Sequence, residues 1–298
     1  MIEPKQKWRR YHTQNGICIN EDCEKVIEKY LLPNYANKIQ LIFTSPPFPL
    51  KRAKKYGNKT GQEYLDWLCN IGNQLKPLLT ENGSIAIEIG NAWNPGEPTY
   101  STLPLETLLA FKNRCDLYLC QEFIYYNPAR LPSPIEWVNK KRVRVKDSFT
   151  QIWWMSKTPH PYANNRNVVE PYSKQMQKLI ASGKYNSGTR PSEHTISESA
   201  FSIDNGGAIP SNVIVAANTT SNDIYITKCK EKELDIHPAR MAPAIPEFFI
   251  NFLTQENDIV LDCFAGSNTT GAAAEHLSRR WISIELDRTY YDGSKYRF

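Results

Sequence analysis

The residues with the clearest chemical potential follow an apolar stretch, residues 39–43, that predicts a buried strand. They form the clamp motif, residues 44–48: Thr44, Ser45, Pro46, Pro47 and Phe48. Proline lacks an N–H and keeps the residue before it extended, so the Pro46 carbonyl is predicted to be a fixed acceptor without an intrachain partner. That carbonyl and the Ser45 hydroxyl could accept both hydrogens of a planar amino group, and Phe48 could stack on its ring. The motif favours a nucleobase clamp, with an ordinary proline turn as the alternative.

A second segment suited to ligand binding is the glycine loop, which follows a predicted strand at residues 258–263. It spans residues 264–271: Phe264, Ala265, Gly266, Ser267, Asn268, Thr269, Thr270 and Gly271. Glycine permits a tight turn, and the N-terminus of the following helix attracts carboxylate or phosphate. Alanines stand where a nucleoside triphosphate loop needs lysine and serine or threonine, and a full Gly-x-Gly-x-x-Gly is absent. Glu285 ends a strand about 20 residues further on, where an acid commonly binds a ribose diol. The pattern therefore predicts a nucleoside cofactor.

The elements that must position these two segments alternate along the chain. The predicted strands lie at residues 16–20, 39–43, 83–90, 117–125, 151–155, 258–263 and 281–285. The predicted helices lie at residues 24–31, 64–77, 103–112, 172–181, 244–253 and 272–275. This alternation predicts an α/β fold with a mainly parallel sheet and helices on both faces. Both segments would then lie at the carboxyl ends of strands, where open α/β sheets bind ligands.

Asp22 stands between the predicted strand at residues 16–20 and the helix at residues 24–31. Sequence alone favours a helix N-cap, because an aspartate side chain can accept from the first N–H groups of a helix. Ligand binding at the edge of the sheet is the alternative.

Residues 157–236 differ in composition from the rest of the chain. Asparagine, serine, proline, glycine and tyrosine dominate, and helical periodicity is weak. We expect a smaller irregular domain here. Its polar side chains, including Arg190, Ser192, His194, Asn205 and Asn212, would suit the reading of base edges, as they would any loop-rich surface.

The basic residues are clustered, although the net charge is only +5. One group follows the clamp motif: Lys51, Arg52, Lys54 and Lys55. The other follows a proline-rich segment that includes Arg130, and consists of Lys140, Lys141, Arg142, Arg144 and Lys146. Either group alone could be a solvated face, but two groups, one of them beside a base clamp, predict a surface for nucleic-acid phosphates.

Composition excludes several classes of protein. The chain has no apolar run of about 18 residues, so we expect a soluble protein without a membrane partner. Residues 1–10 are polar and basic and do not resemble a signal peptide. The seven cysteines lack any Cys-x-x-Cys and none lies at metal-ligand spacing from a histidine, which predicts free thiols in a reducing cytoplasm and no metal site.

The clamp motif and residues 262–271 closely resemble the paired motifs of bacterial DNA methyltransferases that alkylate the N4 amino group of cytosine with S-adenosylmethionine. The clamp motif comes first and a long variable segment separates the two, as in the β permutation group of that family. The resemblance covers nearly the whole chain, from residue 16 to residue 298. Residues 131–139 and 204–207 look most like those of methyltransferases in restriction and modification systems that act on CAGCTG.

The resemblance implies a Rossmann-like methyltransferase domain at residues 16–156 and 237–298 and a target-recognition domain at residues 157–236. The implied catalytic residues are Ser45, Pro46, Pro47 and Phe48. The implied S-adenosylmethionine ligands are Asp22, Asp262, Phe264, Ala265, Gly266, Ser267, Asn268, Thr269 and Glu285. The implied DNA contacts are Lys51, Arg52, Arg130, Lys140, Lys141, Arg142 and Arg144. We expect a monomer that acts on double-stranded DNA and is coupled only functionally to a restriction endonuclease.

The chemistry of the clamp motif narrows the reaction. Methylation at cytosine C5 needs a cysteine nucleophile at the base, and no cysteine follows Pro46 and Pro47 in the motif. Methylation of adenine N6 needs the same acceptors as cytosine N4, and only the family habit of serine before Pro-Pro-Phe favours cytosine. A protein that binds DNA without modifying it is an alternative of another class.

Overall fold

The computed structural model describes residues 2–48, 59–183, 187–197, 203–219 and 223–298. Its strands are β1 (Arg9–His12), β2 (Gly16–Asn20), β3 (Ile39–Thr44), β4 (Leu79–Gly90), β5 (Tyr118–Tyr126), β6 (Phe149–Ser156), β7 (Gly188–Thr189), β8 (Thr195–Ile196), β9 (Val213–Val215), β10 (Ile259–Asp262) and β11 (Arg280–Glu285). Its α-helices are α1 (Cys23–Val26), α2 (Leu32–Tyr35), α3 (Gly61–Leu75), α4 (Leu103–Arg114), α5 (Lys174–Ser182), α6 (Ile224–Glu231), α7 (Ala244–Leu253), α8 (Thr269–His276) and α9 (Arg288–Ser294). No helix within the described ranges is long and apolar enough to cross a bilayer.

Nine of the described strands form one sheet in the order β1-β2-β11-β10-β3-β4-β6-β5-β9. Strands β2, β11, β10, β3 and β4 run parallel to one another. Strand β6 is antiparallel to both β4 and β5. The mainly parallel α/β sheet predicted from the alternation is therefore confirmed. The proline-rich residues between β5 and β6 form no α-helix of the kind that usually connects parallel strands, and these two strands are antiparallel neighbours.

Two hydrophobic cores cover the two faces of the sheet, because consecutive residues of a strand point to opposite sides. All six residues of β3 are buried. Ile42 belongs to the core that contains side chains of α3 and α4. Leu41 and Phe43 belong to the opposite core, where Phe43 stacks on Phe249 of α7 at 5.2 Å between ring centroids. Burial of each large side chain contributes about 1.5–3 kcal/mol, so the strand ends are held in fixed positions.

The helix predicted at residues 24–31 is interrupted. Helix α1 passes into a π-helical turn at Ile27–Leu31, and α2 continues to Tyr35. Pro33 lies in the first turn of α2 and has no N–H to donate to the carbonyl of Lys29, four residues earlier. That carbonyl instead accepts from Gln6 Nε2 at 3.0 Å. Proline chemistry thus explains the widened turn.

The chain divides into two compact units. The larger contains residues 1–162 and 212–298, and the smaller contains residues 163–211. The smaller unit holds α5 and the antiparallel β7–β8 pair. It is shorter than the predicted span of residues 157–236, because β9 pairs in parallel with β5 and α6 packs against α9 in the larger unit.

Candidate active site

The five parallel strands of the larger unit bring their carboxyl ends to one edge of the sheet. The clamp motif continues from β3, the glycine loop continues from β10, and Glu285 ends β11. Strands β3 and β10 are immediate neighbours. A cavity of about 890 Å³ opens at this edge and is lined by both segments. The structure therefore brings together two segments that lie more than 200 residues apart in sequence.

A hydrogen bond links the two segments at the floor of the cavity. Thr44 Oγ1 donates to Asp262 Oδ1 at 2.7 Å, and the Phe264 backbone N–H donates to the same oxygen at 3.1 Å. Asp262 is buried, and this burial raises the pKa of its carboxyl although the Thr44 hydroxyl opposes the shift. The carboxylate thereby fixes the end of β3 against the start of the glycine loop.

Glu285 accepts from backbone on both of its oxygens. The Gly266 N–H donates to Oε2 at 2.6 Å, and the Asp287 N–H donates to Oε1 at 2.7 Å. Burial raises the pKa of Glu285 to about 7 despite these two hydrogen bonds. Each carboxylate oxygen has a second lone pair, so Glu285 can still accept from a ligand in the cavity that it lines.

The glycine loop turns tightly at Gly266, whose φ of 53° lies in the left-handed region. A Cβ at this position would lie 3.1 Å from His237 Nε2, so glycine also permits the close approach of that ring. His237 packs edge-on against Tyr290 with centroids 4.5 Å apart. Both rings line the cavity, which extends the site to residues between α6 and α7 and within α9.

Asn268 has a structural role in the described part of the chain. Its side chain accepts from the Gly271 N–H at 3.1 Å and from Ser283 Oγ at 2.7 Å, and donates to Tyr11 at 3.0 Å. It is fully buried and is not among the described residues that line the cavity. Of the glycine-loop residues predicted to bind the cofactor, Phe264, Ala265, Gly266, Ser267 and Thr269 do line it. The geometry thus assigns Asn268 to the N-cap of α8.

Asp22 is the N-cap of α1, as its position in the sequence favours. Its Oδ1 accepts from the Lys25 N–H at 3.2 Å. Asp22 also lines the cavity, together with its neighbours Glu21 and Glu24. The Asp22 carboxylate therefore caps α1 and also faces the cavity. The two interpretations of this residue, as a helix N-cap and as a ligand-binding residue, are compatible.

The two proline carbonyls of the clamp motif differ in their hydrogen bonds. No described residue donates to the Pro46 carbonyl, whereas the Pro47 carbonyl accepts from Tyr64 at 2.9 Å. The Phe48 ring lies against Gly90 at the end of β4, where an added Cβ would be 2.4 Å from ring carbon Cε2. Ser45, Pro46, Pro47 and Phe48 all line the cavity. The clamp is thus held from behind by α3 and β4.

Glu88 is a site residue that the sequence analysis missed. It lies on β4, is 6% exposed and lines the cavity. Thr150 Oγ1 donates to its Oε1 at 2.9 Å. Burial raises the pKa of Glu88, and hydrogen bonds from Thr150 and Ser45 oppose the shift. The signal in the sequence is an acid inside the otherwise apolar strand at residues 83–90.

Trp67 is a second missed residue. It lies within α3 and lines the cavity. Its indole N–H donates to Glu24 Oε1 at 3.1 Å, and its ring lies 5.6 Å from the Phe264 ring. A tryptophan surrounded by apolar helix residues gives no sequence signal that separates core from site.

The predicted DNA contacts are distributed unevenly. Lys51 and Arg52 lie outside the described residues. Arg130 lines the cavity and donates to the Phe149 carbonyl at 3.0 Å. The others lie on the basic loop, residues 128–146, outside the cavity lining: Lys140, Lys141, Arg142 and Arg144.

Several cations of the basic loop have local partners. Glu136 accepts contacts from Lys140 at 3.2 Å and Lys141 at 3.8 Å. Arg144 donates to the Pro98 carbonyl at 2.9 Å. Lys140, Lys141, Arg142 and Arg144 are all exposed. Exposed ion pairs contribute little, so these side chains remain available to phosphates.

Comparison with known proteins extends over nearly the whole chain. A family model described as DNA methylase matches residues 39–296. Type II methyltransferase M.PvuII of Proteus hauseri is 42% identical over 290 residues, which cover 97% of this chain and 85% of that relative. Type II methyltransferase M.BglII of Bacillus subtilis is 25% identical over 256 residues, which cover 86% of this chain and 62% of that relative.

Two solved structures agree in fold. The PvuII DNA methyltransferase (cytosine-N4-specific) superposes with a TM-score of 0.77 at 35% identity. The superposition covers 97% of this chain and 88% of the PvuII enzyme chain. The M1.HpyAVI–SAM complex superposes with a TM-score of 0.56 at 21% identity. The superposition covers 94% of this chain and 97% of the chain in the complex. At that lower identity the similarity is evidence for the fold alone. Because the family model matches residues 39–296 and M.PvuII is 42% identical over 97% of this chain, the chain belongs to the DNA methylase family.

Proposed function

We propose that the protein transfers the methyl group of S-adenosylmethionine to the N4 amino group of cytosine in double-stranded DNA, as the modification enzyme of a restriction and modification system. One observation carries the proposal: the Ser-Pro-Pro-Phe clamp and the glycine loop lie on adjacent parallel strands and line one cavity. A base and a methyl donor held at neighbouring strand ends would meet there. Similarity to the cytosine-N4-specific PvuII enzyme supports the choice of base.

The cavity fits S-adenosylmethionine. Its walls carry the carboxylates of Asp22, Asp262 and Glu285, which suit ribose hydroxyls and an ammonium group, beside the apolar rings of Trp67 and Phe264. We assign Glu285 to the ribose, Asp262 to the methionine end and Asp22 to the adenine. The remaining glycine-loop contacts come from Ala265, Gly266, Ser267 and Thr269.

The chain's own residues prepare the amino group for attack. When bound, S-adenosylmethionine supplies an electrophilic methyl group on its sulfonium sulfur. The base amino group is a weak nucleophile because its lone pair is delocalised into the ring. Ser45 Oγ and the Pro46 carbonyl accept its two hydrogens, which favours a pyramidal nitrogen and stabilises the positive charge that develops there. Phe48 stacks on the base and offsets part of the few kcal/mol that flipping costs.

Glu88 completes the clamp from the side of β4. Hydrogen bonding between Ser45 and Glu88 holds the serine proton on the carboxylate side and leaves the Oγ lone pairs for the amino group. As the methylated nitrogen loses a proton to Ser45 Oγ, the Ser45 hydroxyl proton can pass to the Glu88 carboxylate to which it is hydrogen-bonded. We assign to Glu88 the orientation of Ser45 and the acceptance of that proton.

DNA recognition is assigned to the smaller unit and to the basic residues. The irregular, polar unit at residues 163–211 would read the target sequence, for which we propose CAGCTG. The DNA phosphates would contact Arg130, Lys140, Lys141, Arg142 and Arg144, together with Lys51 and Arg52. We propose further that the enzyme acts as a monomer in the cytoplasm, with an endonuclease coupled to it only through the shared DNA site.

Nucleoside analysis tests the reaction. Duplex DNA containing CAGCTG is incubated with the protein and S-adenosylmethionine carrying a tritiated methyl group. The DNA is then digested to nucleosides, which are identified by mass spectrometry. We expect N4-methylcytosine among the nucleosides. Base-resolution sequencing of the treated DNA should place the modified base within CAGCTG. N6-methyladenine would assign the enzyme to the other amino base, and DNA retention without label would identify a non-catalytic binding protein.

A further inference from the structure

Arg297 holds one residue of the glycine loop with a two-pronged contact. It lies in the 3₁₀ turn Lys295–Arg297, and its side chain is only 9% exposed. Its Nε donates to the Ser267 carbonyl at 2.6 Å, and its Nη2 donates to Ser267 Oγ at 2.8 Å. The planar guanidinium therefore fixes both the backbone and the side chain of Ser267.

The other side of the guanidinium faces the start of α6. Nη1 lies 3.8 Å from Asp223 Oδ2, and the guanidinium carbon lies 4.6 Å from the centroid of the Tyr225 ring. Asp223 itself is the N-cap of α6, where it accepts from the Ile226 N–H at 2.7 Å. Tyr225 is fully buried, and its hydroxyl accepts from the His237 N–H at 3.0 Å. The start of α6 therefore holds both Arg297 and His237.

These contacts determine where the Ser267 hydroxyl points. Burial of a guanidinium is unfavourable unless its donors are satisfied, and Ser267, Asp223 and Tyr225 together provide that compensation. A guanidinium can only donate, so Ser267 Oγ must accept from Arg297. The hydroxyl proton is then directed either to Thr269 Oγ1, 3.3 Å away, or to a ligand in the cavity that Ser267 lines.

We propose that Arg297 is a positioning residue for the cofactor, which acts through Ser267 and is held in place by Asp223 and Tyr225. The inference rests on the proposed function, which places S-adenosylmethionine against the glycine loop. Ser267 is among the described residues that line the cavity and Arg297 is not, so Arg297 acts from behind the loop. Its contribution therefore appears in cofactor affinity rather than in the methyl-transfer step.

The chain offers a matched control in Arg279. This arginine is 7% exposed and makes the same two-pronged contact with Thr254: Nε donates to Oγ1 at 3.0 Å and Nη2 donates to the carbonyl at 3.0 Å. Neither Arg279 nor Thr254 is among the described residues that line the cavity. Arg279→Lys thus removes an equivalent pair of buried guanidinium hydrogen bonds without changing a contact to the glycine loop.

The experiment compares Arg297→Lys with Arg279→Lys by calorimetric titration of S-adenosylmethionine and by thermal unfolding. Both variants should have a lower Tm, because lysine keeps the charge but cannot form the two hydrogen bonds that Nε and Nη2 of the arginine donate. Only Arg297→Lys should raise the Kd for S-adenosylmethionine, by about tenfold, equivalent to about 1.4 kcal/mol. Its KM for S-adenosylmethionine should rise in parallel, while its kcat and its KM for DNA stay at wild-type values.

A double-mutant cycle tests whether Arg297 acts through Ser267. Ser267→Ala removes only the Nη2 partner and is expected to fold even if Arg297→Lys does not, and it too should raise the Kd. The combined variant should lose less affinity than the sum of the two single losses. Wild-type affinity in folded Arg297→Lys or Ser267→Ala, or equal losses in Arg279→Lys, would overturn the inference. Failure of the wild-type protein to bind S-adenosylmethionine would instead overturn the proposed function on which it rests.

Discussion

At the scale of single residues, the site depends on buried carboxylates. Burial raises the pKa of Asp262, Glu88 and Glu285, and each of them also accepts hydrogen bonds from serine or threonine hydroxyls or backbone N–H groups. Such groups can change charge when a ligand arrives, which is common where proteins do chemistry. Ser45 is different, because its hydroxyl would contact the reacting nitrogen directly.

Ser45→Ala is expected to separate catalysis from cofactor binding. Loss of one of the two acceptors should lower kcat by about 10²-fold, as for the removal of one preorganised group that stabilises transition-state charge. The Kd for S-adenosylmethionine should stay at the wild-type value, because the residues assigned to the cofactor lie at the ends of β2, β10 and β11, whereas Ser45 follows β3. Single-turnover methylation and calorimetric titration measure the two quantities. Equal losses in both would contradict the role assigned to Ser45.

Glu285 should make cofactor affinity depend on pH. A ribose hydroxyl binds the ionised carboxylate more strongly than the neutral acid, and burial raises the pKa of Glu285 to about 7. The affinity should therefore increase from about pH 6 to about pH 8 and then level off. Glu285→Gln should bind more weakly and lose this component of the pH dependence. A titration series in which wild type and variant change in parallel with pH would exclude Glu285 as the titrating group.

At the scale of elements, the sequence predicted most of the parallel sheet. Residues 16–20 and 244–253 match β2 and α7 in both bounds, because apolar runs and periodicity decide such elements. The clamp motif and Glu285 were also located at strand ends, since motif and strand are contiguous. Glu88 and Trp67 could not be found this way. Trp67 lies among ordinary core residues in the sequence, and Glu88 differs from its apolar neighbours only by its charge. Only the pairing of distant strands and helices reveals the cavity beside them.

The basic loop at residues 128–146 should contribute to DNA affinity through charge. Replacing Lys140, Lys141 and Arg142 with alanine should weaken binding and lower the slope of log K against log salt by about 0.9 for each phosphate left without a protein cation. The control replaces Lys228, Lys230 and Lys232, which removes the same charge from the region of α6. Fluorescence anisotropy over a salt series measures both slopes. An unchanged slope in the first variant would assign these cations to a solvated face.

At the scale of the whole molecule, every described residue that lines the cavity belongs to the larger unit, and residues 163–211 form a second compact unit. The boundaries at residues 163 and 211 could not be predicted from composition. Polar sequence continues on both sides, with Pro159 and Pro161 before the smaller unit, yet residues 213–215 pair with β5 and belong to the sheet. This apolar run of three residues, Val213–Val215, is too short to predict a strand by itself, and its pairing with β5 decides its structure.

Replacement of residues 163–211 by a flexible glycine-serine linker should separate the two functions. The remaining unit contains the complete cavity, so S-adenosylmethionine should bind with wild-type Kd. Methylation of CAGCTG should fall to the level of other sequences, because the residues assigned to target reading are gone. Calorimetry and base-resolution sequencing of treated DNA report the two properties. Retained preference for CAGCTG would move target recognition to the larger unit.

The insertion of β10 and β11 between β2 and β3 has a consequence for how the protein is made. During synthesis, the β1–β2 pair and the β3-β4-β6-β5-β9 group can form early, but the edges of β2 and β3 stay unpaired until residues 259–285 have left the ribosome. Pairing across such distances is slow, and open apolar edges invite association with other chains. The nascent enzyme thus has no complete active site until its last two strands arrive, so its DNA-modifying activity begins only after those strands have been translated.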